Sequence, residues 1–417
     1  MKIAILGYGT VGSAVAKTLL DNQELIKARC DEEIMPVISL ARTQKNDALI
    51  PIVNNVDTIL NRDDIDVFVE LMGGVEFPFE VISKILKKKK AVVTANKALL
   101  AYYGCELEKL AKNSAFGYEA SVAGGIPIIK ILKEGLSANN ILSIKGILNG
   151  TSNYILSKMA LEGLSFHEAL KKAQDLGYAE ADPAFDIEGF DAAYKLLILA
   201  NIAYGLKAKP EEILIEGISK IGKEDIYFAK EFDYVIKHLG IAKIQNKKIE
   251  LRVHPVLINK NKMLAKVDGV MNAISIFGDI LGESLYYGAG AGGMATASAV
   301  VADLIDIARK EKSSAMFGYL NSTSYQLLDK EKINTQYYLR LKVLDKIGVL
   351  SKITQLMSDH QISIDIFLQK PKKENDDCSI VFFITHKTYE NNIQFLIEKL
   401  KKQDFIQDEI FMMRIED

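Results

Sequence analysis

The sequence predicts an α/β chain: a doubly wound parallel sheet first, an α+β region next, and a βαββαβ module last. Three observations predict it. Short uninterrupted apolar runs alternate with helical patterns over residues 2–118, as a parallel sheet covered on both faces requires. The first run, KIAIL, leads at once into Gly7-Tyr8-Gly9-Thr10-Val11-Gly12, glycines spaced as GxGxxG between a strand and a helix. Residues 336–417 then change to period-two alternation mixed with amphipathic helices, in an order of their own.

Taken in order, strands are expected at 2–6, 34–40, 66–71, 91–94 and 115–119. The four lysines at 87–90 close a helix expected at 81–86, where the helix dipole favours cations. Residues 128–287 mix a hairpin (234–244 with 248–258), strands at 271–277 and 283–287, and helical stretches, which suggests an α+β layer. GAGAGGMAT, residues 288–296, opens a helix running to 308 that is expected to pack back on the first domain. The expected domains are therefore 1–127 completed by 288–312, then 128–287, then 336–417, with the polar stretch 310–335 as linker. In the last domain Leu339, Leu341 and Val343 alternate with Arg340 and Lys342, and Val349, Leu350, Ile353, Leu356 and Met357 share a helical face. Strands at 362–368 and 379–385 flank the polar loop 370–377, and a helix at 389–402 and a strand at 409–415 complete a ferredoxin-like order. These residues are expected to form a separate unit whose removal from Gln336 onward leaves the rest folded.

A net charge of −2 gives no electrostatic case for nucleic acid or an acidic membrane as partner. Cys30, Cys105 and Cys378 are far apart and form no CxxC, so neither a disulfide framework nor a structural zinc site is indicated. The apolar start is cut by glycine too early for a signal peptide, and no run approaches a membrane span. A soluble cytoplasmic protein in a reducing compartment is the expectation.

The glycine fingerprint carries the first chemistry. Gly7 permits the tight turn, Gly9 lets backbone approach a pyrophosphate, Gly12 allows close helix–sheet packing, and the helix N-terminus offers N–H groups to the anion. A site for NAD places an acid after the second strand, but Asp31, Glu32 and Glu33 precede it. Beyond the strand comes Ala41-Arg42-Thr43-Gln44-Lys45, where Arg42 and Lys45 suit the 2′-phosphate of NADP; the alternative is two exposed bases in a loop.

The second chemistry lies in AQDLGYAEADPAFDIEGFDAAYK, residues 173–195. It sets Glu180, Asp182, Asp186, Glu188 and Asp191 near Lys195 in a stretch broken by Gly177, Pro183 and Gly189, unlike a solvated surface helix. Asp191 and Lys195 fall at i and i+4, so the carboxylate can orient the ammonium; the bland alternative is an exposed helical ion pair. A protonated lysine can stabilise an alkoxide and donate to it, and a neutral one can accept a proton.

These motifs have a family order. The chain resembles the monofunctional bacterial homoserine dehydrogenases with a C-terminal ACT domain, over nearly its whole length. GYGTVG (7–12), VELMGG (69–74), TANK (94–97), EASVAGGIP (119–127), NGTSNYIL (149–156), the segment 173–195 and GAGAGGMATASAVVAD (288–303) stand in the family's sequence. Ala295 departs from a proline common there. The resemblance implies NAD(P)-dependent interconversion of L-homoserine and L-aspartate 4-semialdehyde, in the route to threonine and methionine. It implies Lys195 as the catalytic lysine, Asp191 as its positioning carboxylate, and Lys97 beside nicotinamide and substrate. It implies Glu180 at the substrate's amino group with Asp186 near it, and Thr10, Val11, Gly12 and Gly292 as cofactor contacts. Glu119, Val122, Gly124 and Ile126 match a monovalent-cation site, for an ion such as Na⁺, seen in some members. Small residues and glycines there can turn carbonyls inward for a hard cation; the alternative is an ordinary Gly-Pro loop. The ACT domain implies an amino-acid effector, with L-threonine first, and a homodimer or higher homo-oligomer; a role in assembly alone is the other reading. A silent nucleotide-binding sensor would lack Lys195 or Glu180, and both are present. An aldehyde dehydrogenase forming an acyl-enzyme needs a nucleophilic cysteine, and Cys105 has no paired histidine motif.

Overall fold

The computed structural model describes residues 1–309, 316–317, 325–370 and 377–416. Half of the linker expected over 310–335 and most of the loop expected over 370–377 fall outside the described residues, as do positions 310–312 of the first domain's expected completion. The chain divides into two compact units. One comprises Met1–Gly150, Asp191–Ile213 and Val270–Gln326, the other Thr151–Phe190, Leu214–Gly269 and Leu327–Asp417.

In the first unit, strands Lys2–Leu6, Met35–Leu40, Ile52–Val53, Val67–Glu70, Ala91–Thr94 and Phe116–Gly117 form a parallel sheet. Their order is 3-2-1-4-5-6, the dinucleotide-binding order expected of a Rossmann sheet. Ile3, Ile5, Val67, Val69 and Val93 from the sheet pack with Val15, Ala16 and Leu19 of helix Thr10–Asp21 and with Ala297, Val300 and Leu304 of helix Gly293–Ala308. The late helix thus returns to the first sheet as expected. Each such valine, leucine or isoleucine side chain contributes about 1.5–3 kcal/mol when fully buried. Three details differ from expectation. Ile52–Val53 is too short to show a period. The strand expected over 115–119 narrows to Phe116–Gly117 because Asp303 presses on Gly117 and accepts the Glu119 N–H at 2.9 Å, turning the chain into a 3₁₀ turn at Glu119–Ser121. The helix expected at 81–86 is longer, Glu76–Lys87, with Pro78 tolerated in its first turn. An antiparallel trio, Ile141–Ile147, Met271–Gly278 and Gly282–Ala289, has Met271–Gly278 at its centre.

In the second unit six strands run in the order Tyr234–Gln245, Lys248–Asn259, Phe411–Glu416, Asn334–Leu344, Cys378–Thr385, Ile364–Gln369. The first two are the expected hairpin. The last four, with helices Val349–Asp359 and Glu390–Leu400 on a shared core, are the expected βαββαβ module with its first and third strands central.

That module does not stand apart. Val256, Leu257 and Ile258 of the hairpin pair in parallel with Arg414, Ile415 and Glu416 of its last strand. Buried charges cross the seam. Arg414, 0% exposed, donates two bonds to Glu216 at 2.8 and 2.9 Å and two to Glu390 at 2.8 and 2.6 Å. The Tyr337 hydroxyl donates to Glu390 at 2.9 Å, and Arg252, also 0% exposed, bonds Glu250 and Glu416. The expectation of a removable C-terminal unit meets this seam: without the module Arg252 would lose Glu416, and Glu216 would lose Arg414.

Candidate active site

The fingerprint folds as its spacing demands. Gly7 has φ +114°, and a side chain at Gly12 would meet the Gly7 carbonyl oxygen at 2.0 Å, so both positions exclude other residues. A Cβ on Gly9 would meet nothing within 4 Å, which leaves the approach to the helix N-terminus open. Neither Gly9 before helix Thr10–Asp21 nor Gly292 before helix Gly293–Ala308 supplies a side-chain cap. A Cβ on Gly293 would lie 3.2 Å from Thr10, so two uncapped helix starts adjoin. This cradle fits a pyrophosphate, whose charge the N–H groups of Thr10, Val11 and Gly12 would satisfy. Asp31 to Glu33 precede strand Met35–Leu40, on the side away from its C-terminal end, while Arg42 lies exposed just beyond that end. The Lys45 ammonium lies 5.9 Å from the Tyr8 ring centroid.

Lys195 and Asp191 sit on helix Phe190–Tyr204, in which Leu196 to Ala203 are buried throughout. The helix therefore runs through the core rather than over the surface, and the ion pair is 8% and 4% exposed. Lys195 Nζ donates to Asp191 Oδ2 at 2.7 Å and to the Leu148 carbonyl at 2.8 Å. The other carboxylate oxygen, Oδ1, takes Lys97 Nζ at 2.7 Å. Lys97 comes from the first residue of helix Lys97–Leu110. The exposed-ion-pair alternative is thereby excluded.

Two residues that the sequence did not single out complete the arrangement. Asn149 donates to Asp191 Oδ2 at 2.8 Å, and Asn272 donates to the Leu148 carbonyl at 3.1 Å. Asn149 opens the NGTSNYIL motif and was within reach of motif reasoning; Asn272 lies in a strand with no local signal. The turn holding Leu148 and Asn149 is fixed by Gly150, where a Cβ would meet the Val270 carbonyl oxygen at 2.6 Å. Burial alone would raise the Asp191 carboxyl. The ammonium groups of Lys195 and then Lys97 outweigh it and hold the group well below the usual carboxylate range. Two ammonium groups around one carboxylate leave a net positive charge, suited to an oxyanion.

Of the carboxylates expected around Lys195, Asp191 alone belongs to the same unit; Glu180, Asp182, Asp186 and Glu188 belong to the second. Glu180 is exposed, and its backbone carbonyl accepts Gln174 Nε2 at 3.1 Å. Asp186 Oδ2 accepts the Thr151 hydroxyl at 3.3 Å, and its backbone carbonyl accepts the Ser152 hydroxyl at 3.0 Å. Ile218 N–H bonds the Ile187 carbonyl at 2.9 Å, so the segment beside Asp186 packs on the strand end that carries Glu216.

Glu119, Val122, Gly124 and Ile126 fall in one buried turn. The Glu119 carboxylate accepts the N–H groups of Ile129 at 2.9 Å and Lys130 at 2.8 Å, while burial and the nearby Asp303 push it up to about 7. Among the described residues no three His, Cys, Asp or Glu side chains group as a metal site, so an ion here would depend on backbone carbonyls.

Comparison with known proteins gives three consecutive matches. Residues 7–119 match the model of the homoserine dehydrogenase NAD-binding domain, 127–305 that of homoserine dehydrogenase, and 337–405 that of the ACT domain. The chain is 54% identical over 418 residues to the homoserine dehydrogenase of Helicobacter pylori, covering 100% of this chain and 99% of that protein. It is similar to the crystal structure of a homoserine dehydrogenase from Thiobacillus denitrificans, with TM-score 0.94, 42% identity and coverage of 100% and 98%. A hyperthermophilic archaeal homoserine dehydrogenase in complex with NADPH matches with TM-score 0.64 and 28% identity, over 75% of this chain and 98% of that one.

Proposed function

Because the chain belongs to the homoserine dehydrogenase family of NAD(P)-dependent oxidoreductases, we propose that it interconverts L-homoserine and L-aspartate 4-semialdehyde on the route to threonine and methionine. The observation that carries the mechanism is the Lys97–Asp191–Lys195 cluster, with both carboxylate oxygens on ammonium groups at 2.7 Å. When bound, the nicotinamide supplies or takes the hydride. Lys195 stabilises the alkoxide oxygen and gives it a proton in reduction, and takes the proton in oxidation. Asp191 and the Leu148 carbonyl aim its ammonium, and Lys97 adds positive charge from the opposite side of the carboxylate. Glu180 binds the substrate's α-ammonium, with Asp186 supporting that segment. The test is formation of reduced cofactor on mixing the full chain with L-homoserine: substrate-dependent reduction is expected, and none across neutral to alkaline pH would contradict the reading.

The cofactor is NADP, with NAD as a weaker alternative. Gly7, Gly9, Thr10, Val11, Gly12 and Gly292 hold the dinucleotide, and Arg42 meets the 2′-phosphate. The exposed Arg42 beyond the second strand and the NADPH of the archaeal relative support this. Arg42→Ala is expected to raise KM for NADP about tenfold or more, the loss of a charge-assisted bond, and to leave NAD kinetics unchanged. A wild-type preference for NAD would contradict it.

Labour divides between a cofactor domain (1–127 with 288–312), a substrate and dimerisation domain (128–287) and a regulatory domain (336–417), assembled as a homodimer or larger homo-oligomer. The turn of Glu119, Val122, Gly124 and Ile126 takes a monovalent cation such as Na⁺ on its carbonyls. Three free cysteines suit the reducing cytoplasm, and no helix among the described residues is long and apolar enough to cross a membrane. L-Threonine is the effector: Gly348, with φ +86°, precedes helix Val349–Asp359 without a side-chain cap, so a carboxylate can approach that helix start. Titration calorimetry with L-threonine should give saturable heat and parallel inhibition; neither across the millimolar range would leave the domain an assembly role.

A further inference from the structure

Glu70 is the last residue of strand Val67–Glu70 and is 0% exposed. It lies in register with Leu6 on one side and Thr94 on the other, at the end of the sheet where the strand C-termini meet the crevice. Its carboxyl joins the loop that leaves its own strand to the end of strand Ala91–Thr94. Oε1 accepts the Met72 N–H at 2.7 Å, and Oε2 accepts the Thr94 hydroxyl at 2.5 Å. Thr94 Oγ1 in turn accepts the Asn96 N–H at 3.0 Å. Asn96 then caps the next helix: Oδ1 accepts the Leu99 N–H at 3.0 Å, and Nδ2 donates to the Gly74 carbonyl at 2.9 Å, back across to the first loop. Lys97 is the first residue of that helix and reaches Asp191. The first loop presses on the fingerprint, since a Cβ at Gly7 would lie 2.5 Å from the Leu71 carbonyl oxygen and 3.2 Å from Met72 N.

The groups acting on this carboxyl are burial, the Thr94 hydroxyl, the Met72 N–H and Asn96, none of them cationic. Burial pushes it up to about 7. Between the ordinary carboxylate value and about 7 the folded chain binds more protons than the unfolded chain, so the group's contribution falls as pH rises through that window. At neutral pH the fold is therefore less stable for carrying an acid there than it would be with a neutral isostere. A buried carboxyl with no cationic partner, at the mouth of a crevice and bonded to a loop and a strand end there, points to a role in that crevice.

We propose that Glu70 is a positioning residue: through Thr94 and Asn96 it fixes the helix start that aims Lys97, and through Met72 it ties that helix to the dinucleotide turn. This rests on the reading of Lys97 as part of the proton machinery. The experiment uses the full chain with Glu70→Gln, Lys97→Met and the double variant, together with Glu70→Ala followed by amide hydrogen exchange. Glu70→Gln is expected to lower kcat by about tenfold to a hundredfold, the penalty of a small misplacement, with its thermal midpoint at neutral pH unchanged or higher. The loss should vanish in the Lys97→Met background, because the two residues act as one device. In Glu70→Ala, amides in 71–76 and 95–100 should exchange faster while the strand Lys2–Leu6 stays protected. A kcat within about twofold of wild type, additive losses in the double variant, or a thermal midpoint falling together with activity would each overturn the proposal. Should the wild type fail to oxidise homoserine, the proposed activity falls instead, and the exchange arm still decides: unchanged protection of 95–100 overturns the positioning role, and faster exchange sustains it.

Discussion

Lys195→Ala is expected to lower kcat by on the order of 10²–10⁴ while KM for the cofactor changes little. In the proposed mechanism the lysine acts on charge that develops at the substrate oxygen, whereas the proposed pyrophosphate cradle lies at the two glycine-bounded helix starts. The variant should fold, because Asp191 keeps Lys97 at 2.7 Å and Asn149 at 2.8 Å, and the carboxylate is not left without a counter-charge. Circular dichroism and cofactor titration control for structure. A loss below about tenfold would move the proton role to the neighbouring lysine.

Arg414→Met is expected to cause the largest stability loss among these substitutions, about 3–5 kcal/mol in denaturant unfolding of the transition that includes the second unit. One guanidinium, itself 0% exposed, satisfies the buried carboxylate of Glu390 and the half-buried one of Glu216 with four hydrogen bonds. Methionine fills similar space but leaves both acids facing each other. The present arrangement holds Glu390 below the usual carboxylate range, since the Arg414 charge outweighs burial. Glu216 lies one residue before Gly217, which packs on Ile187 and Glu188, so loosening this cluster should also raise KM for homoserine through the segment that carries Asp186. A change under about 1 kcal/mol would mean the cluster is solvated and its arrangement incidental.

Much of this is legible in the sequence because local rules and the fold agree. β-Branched runs mark the sheet, the glycine spacing marks the crevice, and the alternation of Leu339, Leu341 and Val343 marks the first strand of the module. Asp191 and Lys195 are legible because i,i+4 spacing on a helix forces proximity. Long-range pairings are not. Nothing near Asn272 signals its bond to the Leu148 carbonyl, which joins residues 124 apart. Arg414 reads as one polar residue in an alternating strand, and its partner Glu216 lies 198 positions away. The module therefore looks separable from its period alone, although its last strand completes the pairing of the hairpin. Glu70 stands inside VELMGG, yet no pattern tells a buried carboxyl from a surface one at a strand end.

The most direct test is the rate of homoserine-dependent NADP reduction against pH, wild type beside Lys195→Ala in one assay. The wild type should turn over, with the rate rising towards alkaline pH as a proton acceptor becomes available, and the variant should stay at least about a hundredfold lower throughout, the smallest loss expected for a group that transfers the proton. No homoserine-dependent reduction by the folded wild type, or a variant within about tenfold of it at every pH, would contradict the account.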